Sequence, residues 1–245
     1  MDTKLHDAAN KTVAQLVTED YRKAEVFKKF GIDFCCGGKR TVHDVCEEKG
    51  LDLKLVLQEL EKSGSASQSQ QENADRWELG FLADYIVNVH HKYVSENIPL
   101  LLEFSGKVAR VHGENYAEVV KIAGLFEEVA AELQQHLLKE ERILFPYIKH
   151  LENIQKTGEP FSAPPFESAK NPIAMMEAEH ERAGSALAQI DQLSNNYTPP
   201  EDACNTFRIS YSKLKEFEED LHRHVHLENN ILFPKAIALE VQLQS

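Results

Sequence analysis

The sequence predicts an all-α protein: an up-down-up-down bundle of four long helices, preceded by a small unit of short helices. Three observations carry that expectation. Four amphipathic segments can be drawn, at 77–105, 115–150, 170–195 and 201–240. Strand signals are nearly absent, with no sustained period-two alternation and no Asn-Gly hairpin turn. Finally, HLLKEERILFP at 136–146 recurs as HVHLENNILFP at 224–234. The two share the first His, a Glu four residues on, and the closing Ile-Leu-Phe-Pro.

The elements follow in order. Residues 1–62 read as a small helical domain with helices at 10–29, 40–49 and 52–62, the last two capped by Thr41 and Asp52. Residues 63–76, SGSASQSQQENADR, hold no large apolar side chain and cannot bury enough surface to offset ordering entropy. They read as a flexible linker. Residues 77–245 then form the bundle, its helices separated by VHGEN near 112, TGEPFSAPPFESAKNP from 157 and NNYTPP from 195.

Composition narrows the functional classes. A length of 245 residues allows a sizeable core, and 42% apolar with 27% charged residues is ordinary for a globular chain. A net charge of −13 argues against nucleic acid as a partner, since phosphate binding needs clustered Lys and Arg. No apolar run reaches the roughly 18–20 residues of a membrane span, and MDTKLHDAANKT lacks a signal-peptide core. Four cysteines in a chain this long do not read as a disulfide framework, so a reducing cytoplasm is the expected setting.

The repeated motif points to metal chemistry. Residues four apart on a helix lie one above the other, so His136 with Glu140 and His224 with Glu228 each present an imidazole beside a carboxylate. One such pair would ordinarily be a solvated ion pair. Two copies with matched apolar flanks imply the same packed environment twice, and buried carboxylates there call for an internal cation. The other two helices offer MEAEHERAG and YIVNVHHKYVSENIP. His180 lies on the apolar row Met176-His180-Ala183-Leu187, and Val87-His91-Val94-Ile98 favours His91 while leaving His90 open. His91 precedes His136 by 45 residues and His180 precedes His224 by 44, which makes two similar hairpins. Four imidazoles and two carboxylates suit a pair of first-row ions, iron or manganese ahead of zinc. The set is poorer in carboxylate than the Glu-x-x-His di-iron pattern.

The order His, His-x-x-x-Glu, His, His-x-x-x-Glu over four helices resembles the hemerythrin-like domain. HLLKEERILFP, MEAEHERAG and HLENNILFP are similar to the iron–sulfur cluster repair di-iron proteins of bacteria, and GIDFCCGGKRTV resembles the small domain that heads that family. The resemblance covers nearly the whole chain. It implies that His91, His136, Glu140, His180, His224 and Glu228 ligate two non-haem iron ions. It also implies that the protein restores clusters damaged by oxidative or nitrosative stress, with damaged iron–sulfur proteins as partners. Two carboxylates offset half the charge of two ferrous ions, so an oxo or hydroxo bridge is expected to supply more. Reversible dioxygen or nitric oxide binding, nitric oxide reduction and homodimerisation are the readings left beside it.

Cys35 and Cys36 are the candidate catalytic thiols. A disulfide between neighbours needs a strained eight-membered ring, so they are expected to act as separate soft ligands or to exchange with an outside thiol. Gly37 and Gly38 allow positive φ and close backbone approach, and the helix beginning near Thr41 is expected to lower nearby thiol pKa values. The plain alternative is a packed turn with two buried thiols. Cys46 and Cys204 read as core or surface thiols, and His43, His112, His150, His222 and His226 as surface or cap histidines. Glu132 and Glu179 read as a solvated face, with an outer role at the metal as the alternative. Tyr93 and Tyr147 read either as aromatic filling or as donors to an oxygen ligand on the metal.

Overall fold

The computed structural model describes residues 3–64 and 74–244; of the expected linker, residues 65–73 therefore lie outside the described residues. Among the described residues there is no strand, only an isolated antiparallel bridge between Thr12 and Thr41. The chain separates into two compact units: Met1–Glu78 with Val225–Lys235, and Leu79–His224 with Ala236–Ser245.

The first unit begins with five helices: α1 (Thr3–Asn10), α2 (Val13–Glu19), α3 (Lys23–Lys29), α4 (Val42–Lys49) and α5 (Leu53–Gly64). The single helix expected at 10–29 is broken. Asp20 leaves the helical region and accepts from the Arg22 backbone N–H and guanidinium, so the chain restarts at Lys23. Thr12 and Gln15 form a reciprocal capping box on α2, Thr41 caps α4 through the Asp44 N–H, and Asp52 accepts from Lys54 and Leu55 at the start of α5. Val13, Leu16, Phe27, Val42, Cys46, Val56 and Leu57 form its buried core.

Gly37 and Gly38 depart from the expected backbone. Neither has positive φ; Gly31, Gly50 and Gly158 do. Close approach is instead what Gly38 provides. Its carbonyl accepts from the Ala14 N–H at 2.8 Å, and a Cβ there would collide with the Phe34 carbonyl oxygen and press on Ala14 Cβ at 3.0 Å.

The second unit is a bundle whose helical runs are not regular. The first comprises α6 (Leu79–Tyr85), a π-helical turn (Ile86–His91) and α7 (Lys92–His112). The second comprises α8 (Ala117–Lys139), a π turn (Glu140–Leu144) and α9 (Phe145–Thr157). These two runs are antiparallel, with α7 against α8 and α6 against α9. The third run is α10 (Lys170–Leu193), which packs on α8. The fourth helical run comprises α11 (Asn205–Leu227), a π turn (Glu228–Leu232) and α12 (Phe233–Leu243), and its stretch Val225–Lys235 groups with the first unit. Phe217 of α11 reaches Phe126 of α8 edge-on at 5.4 Å. The runs extend the expected segments at 105, 150 and 240 to His112, Thr157 and Leu243, the first carrying Gly106 inside its helix.

Each π turn shifts the buried row by one residue. Phe145 donates its N–H to the Glu140 carbonyl, and Phe233 to the Glu228 carbonyl, both spanning five residues instead of four. Lys92 likewise donates to Val87. A proline follows directly at 146 and at 234, where an α-helix would need an N–H that proline lacks. The wide turn places the break in the ladder at that point. This is the physical content of the repeated Glu-x-x-Ile-Leu-Phe-Pro.

Replacing Gly38 by Ala should destabilise the full chain by about 1–3 kcal/mol in urea unfolding, because backbone must move to admit the methyl group. Gly37→Ala, whose Cβ would meet Asp33 Oδ2 at 3.3 Å, should cost less than half of that.

Candidate metal centre

Each π turn carries a side chain of the candidate site at one edge. His91 closes the first, Glu140 opens the second and Glu228 opens the third. In the first helical run Ile86 is buried, and the extra residue makes the next buried positions His91, Val94, Ile98 and Leu101. The turn also brings His90 inside, which is why spacing alone does not choose between the two. Geometry does. His91 Nε2 lies 3.4 Å from Glu140 Oε2, whereas His90 stacks on His224 and gives its Nδ1 to Asp220 Oδ1 at 2.9 Å.

The six predicted residues come together, and all six are at most 2% exposed. Ligand atoms of His91, Glu140, His224 and Glu228 lie within 4.8 Å of one another. So do those of His136, Glu140, His180 and Glu228. Both carboxylates belong to both groups, and each group adds its own two imidazoles. His136 Nε2 is 3.2 Å from Glu140 Oε2 and 2.9 Å from His180 Nε2. Two imidazole nitrogens facing each other beside a carboxylate form a donor set that a cation would complete. The set fits a first-row metal: nitrogen and oxygen donors only, with no thiol among them.

Carboxylates behind the rings fix which nitrogen faces inward. His91 Nδ1 meets Glu141 Oε1 at 2.9 Å, and His136 Nδ1 meets Glu179 Oε2 at 2.9 Å. A carboxylate accepts only from a protonated nitrogen, so each ring keeps its Nδ1 proton and turns the Nε2 lone pair into the site. Glu179 is thus no solvated residue: it binds His136 and Lys139 together. Burial pushes its pKa up, but the hydrogen bonds and charges of Lys139 and His136 outweigh this and hold it below the usual carboxylate value. It remains an anion at neutral pH. Glu132, by contrast, is exposed and pairs only loosely with Arg182, at 3.5 Å.

Sequence reasoning missed Glu141 and Asp220 altogether. Glu141 stands beside Glu140, in a turn whose five-residue step turns it to a face that a regular helix would not. Tyr147 finds its partner away from the cluster, donating to the buried Glu240 at 2.6 Å, which also accepts from Ser168 and the Ala169 N–H. The Tyr93 hydroxyl is buried with no hydrogen bond among the described residues, and burial pushes its pKa to about 12. Cys46 is buried and Cys204 exposed, with its Sγ 3.2 Å from His112 Nε2.

His226, expected at the surface, is buried in the first unit between Tyr21 and Phe34, with Nδ1 3.0 Å from Asn230 Nδ2. The amides of Asn229 and Asn230 reach the backbone carbonyls of the thiol loop: Asn230 Nδ2 lies 3.2 Å from Phe34 O and 3.3 Å from Cys35 O. The loop itself contradicts the expected thiol activation. Its partner Cys36, burial and the Asp33 carboxylate raise the Cys35 pKa well above the ordinary thiol value. The helix beginning at Val42 is two turns long, and the Cys35 sulfur meets Cys36 and Asp33 instead.

Comparison with known proteins agrees with this geometry. Residues 82–236 match the family described as the hemerythrin HHE cation binding domain, and residues 9–63 match a domain of unknown function, DUF542. The chain is 37% identical over 234 residues to the iron-sulfur cluster repair protein YtfE of Yersinia pestis (strain Pestoides F), covering 94% of this chain and 98% of that protein. It is 36% identical over the same spans to the YtfE of Yersinia pseudotuberculosis serotype O:1b (strain IP 31758). The chain belongs to the hemerythrin-like iron–sulfur cluster repair family. Membership accounts for the cation-binding bundle and for the small helical domain ahead of it. No described helix is long and apolar enough to cross a membrane.

The outward carboxylates give this family member a test. Glu179→Gln and Glu141→Gln should each weaken cation binding by roughly 10–100-fold, read by competition with a chelator of known affinity, while the fold is kept. Glu132→Gln, on the exposed face, should leave it unchanged.

Proposed function

We propose that this chain repairs iron–sulfur clusters damaged by oxidative or nitrosative stress, in the cytoplasm, by giving up iron held between its bundle helices. The observation that carries the reading is the doubled donor set, in which Glu140 and Glu228 belong to both groups of ligand atoms while His91 with His224, and His136 with His180, serve one each. Two positions sharing two carboxylates suit two iron ions, and the repair proteins at 36–37% identity support iron as the metal. His91, His136, Glu140, His180, His224 and Glu228 are the proposed ligands. Damaged iron–sulfur proteins are the proposed partners, and Cys35 and Cys36 the thiols that assist.

The iron supplies a labile cation that a damaged cluster lacks; what the chain contributes is a site able to hold it and let it go. Six neutral or singly charged donors in a dry core bind a divalent pair without neutralising it fully. Glu141 and Glu179 keep the imidazoles of His91 and His136 in their metal-binding tautomer. The π turns carry the two shared carboxylates on the irregular part of each helix, where the ladder is already opened at Pro146 and Pro234. A small change there moves a ligand without unwinding a run.

Metal analysis with Mössbauer spectroscopy on the protein as purified should show about two iron ions per chain, the number of donor groups the geometry provides. Glu140→Ala and Glu228→Leu should each abolish stable loading; near-full iron content in either would sink the ligand set. Wild-type protein should transfer iron to an apo-cluster acceptor. A stable reversible adduct with dioxygen or nitric oxide and no transfer would replace repair by sensing. If Cys35→Ser/Cys36→Ser restores clusters at the wild-type rate, the thiols take no part.

A further inference from the structure

The thiol loop holds a second constellation, separate in chemistry from the histidine–glutamate cluster. Asp33, Cys35 and Cys36 bring one carboxylate oxygen and both sulfurs within 4.8 Å of one another. Cys35 Sγ lies 3.2 Å from Asp33 Oδ1 and 3.9 Å from Cys36 Sγ. The sulfurs are too far apart for a disulfide, which needs about 2.05 Å. They are well placed for a shared cation. Two sulfur bonds of about 2.3 Å at a tetrahedral angle put the sulfurs about 3.8 Å apart, and one sulfur with one carboxylate oxygen about 3.6 Å apart. The first spacing is met, and the second needs a shift of a few tenths of an ångström.

The loop is built to keep that arrangement. Asp33 Oδ1 accepts the backbone N–H groups of Cys35 at 2.9 Å and Cys36 at 3.1 Å, and Oδ2 accepts that of Gly37 at 2.9 Å. These bonds fold the backbone around the carboxylate, so both side chains emerge on its side. From behind, the Asn229 and Asn230 amides hold the Phe34 and Cys35 carbonyls, all within the first unit. Gly38 lets the loop lie against Ala14. Cys35 is buried, whereas Cys36 is half-buried and Asp33 exposed, so one side of the triad opens to solvent.

We propose that Asp33, Cys35 and Cys36 form a binding site for one thiophilic divalent cation, such as zinc or ferrous iron, with its remaining coordination open to exchange. As the two sulfur–metal bonds form, the two S–H protons leave to solvent, and two thiolates with one carboxylate surround the ion. Thiolate donors select zinc or iron over calcium and magnesium. Three ligands leave at least one position for water or for a donor on another molecule, the pattern of a site that passes metal on and does not keep it as structure. The inference does not rest on the repair reading: it concerns a different set of donors, and it stands or falls by them.

Cobalt(II) added to the reduced full chain without oxygen decides the matter, because thiolate-to-cobalt charge-transfer absorption cannot arise from a site of His and Glu alone. In a chain whose bundle already holds its iron, the band should saturate at one cobalt per chain. It should vanish in Cys35→Ser/Cys36→Ser, which adds no bulk, and persist in His180→Ala, which disables only the bundle. Asp33→Asn should weaken it by about tenfold or more in affinity. No band in the wild-type chain, or an equal band in Cys35→Ser/Cys36→Ser, overturns the proposal. An Asp33→Asn affinity equal to wild type removes the carboxylate and overturns the triad. If Asp33→Asn misfolds by circular dichroism, the serine pair still decides whether the two thiols hold the ion. Full retention of bundle iron in His180→Ala would instead count against the proposed di-iron ligands and leave the thiol site untouched.

Discussion

The bundle is organised around the cost of burying two carboxylates. Glu140 and Glu228 have no exposure at all. An ionised carboxylate in such surroundings carries a penalty of several kcal/mol unless positive charge stands close to it. The chain's answer is to gather four imidazoles around them and to set further carboxylates behind two of those rings. Glu141 and Glu179 keep the Nδ1 protons in place, so the Nε2 lone pairs point at the same space as the glutamates. Lone pairs and anions all facing inward make sense only around cations. The energetic problem and the metal-binding capacity are thus one feature seen from two sides.

That requirement explains why the helices are irregular where they are. An α-helix spaces its inward positions by three or four residues, and a ligand must also be followed by core. Adding one residue after Glu140 and after Glu228 lets the carboxylate face the cluster while Phe145 and Phe233, five residues on, return to the buried core. Each π turn costs hydrogen-bond geometry. The loss is smallest beside Pro146 and Pro234, which could not have completed the regular ladder anyway. The same device in the first run inserts a residue between Ile86 and His91. The third run contributes His180 with no such turn, and there the regular row Met176-His180-Ala183-Leu187 is buried throughout.

How much of this the sequence discloses follows from the same geometry. The all-helical class, the run boundaries at glycine and proline clusters, and the convergence of six side chains are legible, because each rests on composition or on a spacing that repeats. His180 can be read from its row because its helix is regular. His90 and His91 cannot be separated by spacing, since a π turn buries both and only the direction of the rings, one to Asp220 and one toward Glu140, tells them apart. Glu141 is hidden for the same reason. Glu179 reads wrongly as solvated because its meaning depends on Lys139 and His136 across the bundle, and single-helix patterning carries no information about a neighbouring helix.

In the first unit the cysteine pair is legible as a feature, but its electrostatics run against the sequence expectation. Proximity to a helix start suggests an activated thiol, yet the nearest charge is the Asp33 carboxylate, and with Cys36 and burial it drives Cys35 the other way. A thiol kept protonated by its neighbour Cys36, by burial and by a nearby carboxylate is a poor nucleophile at neutral pH. The same anion is an advantage for a metal, which replaces the proton and is attracted by the charge that made the proton hard to remove. The carboxylate that adds to the raised thiol pKa is also the one offered as a ligand.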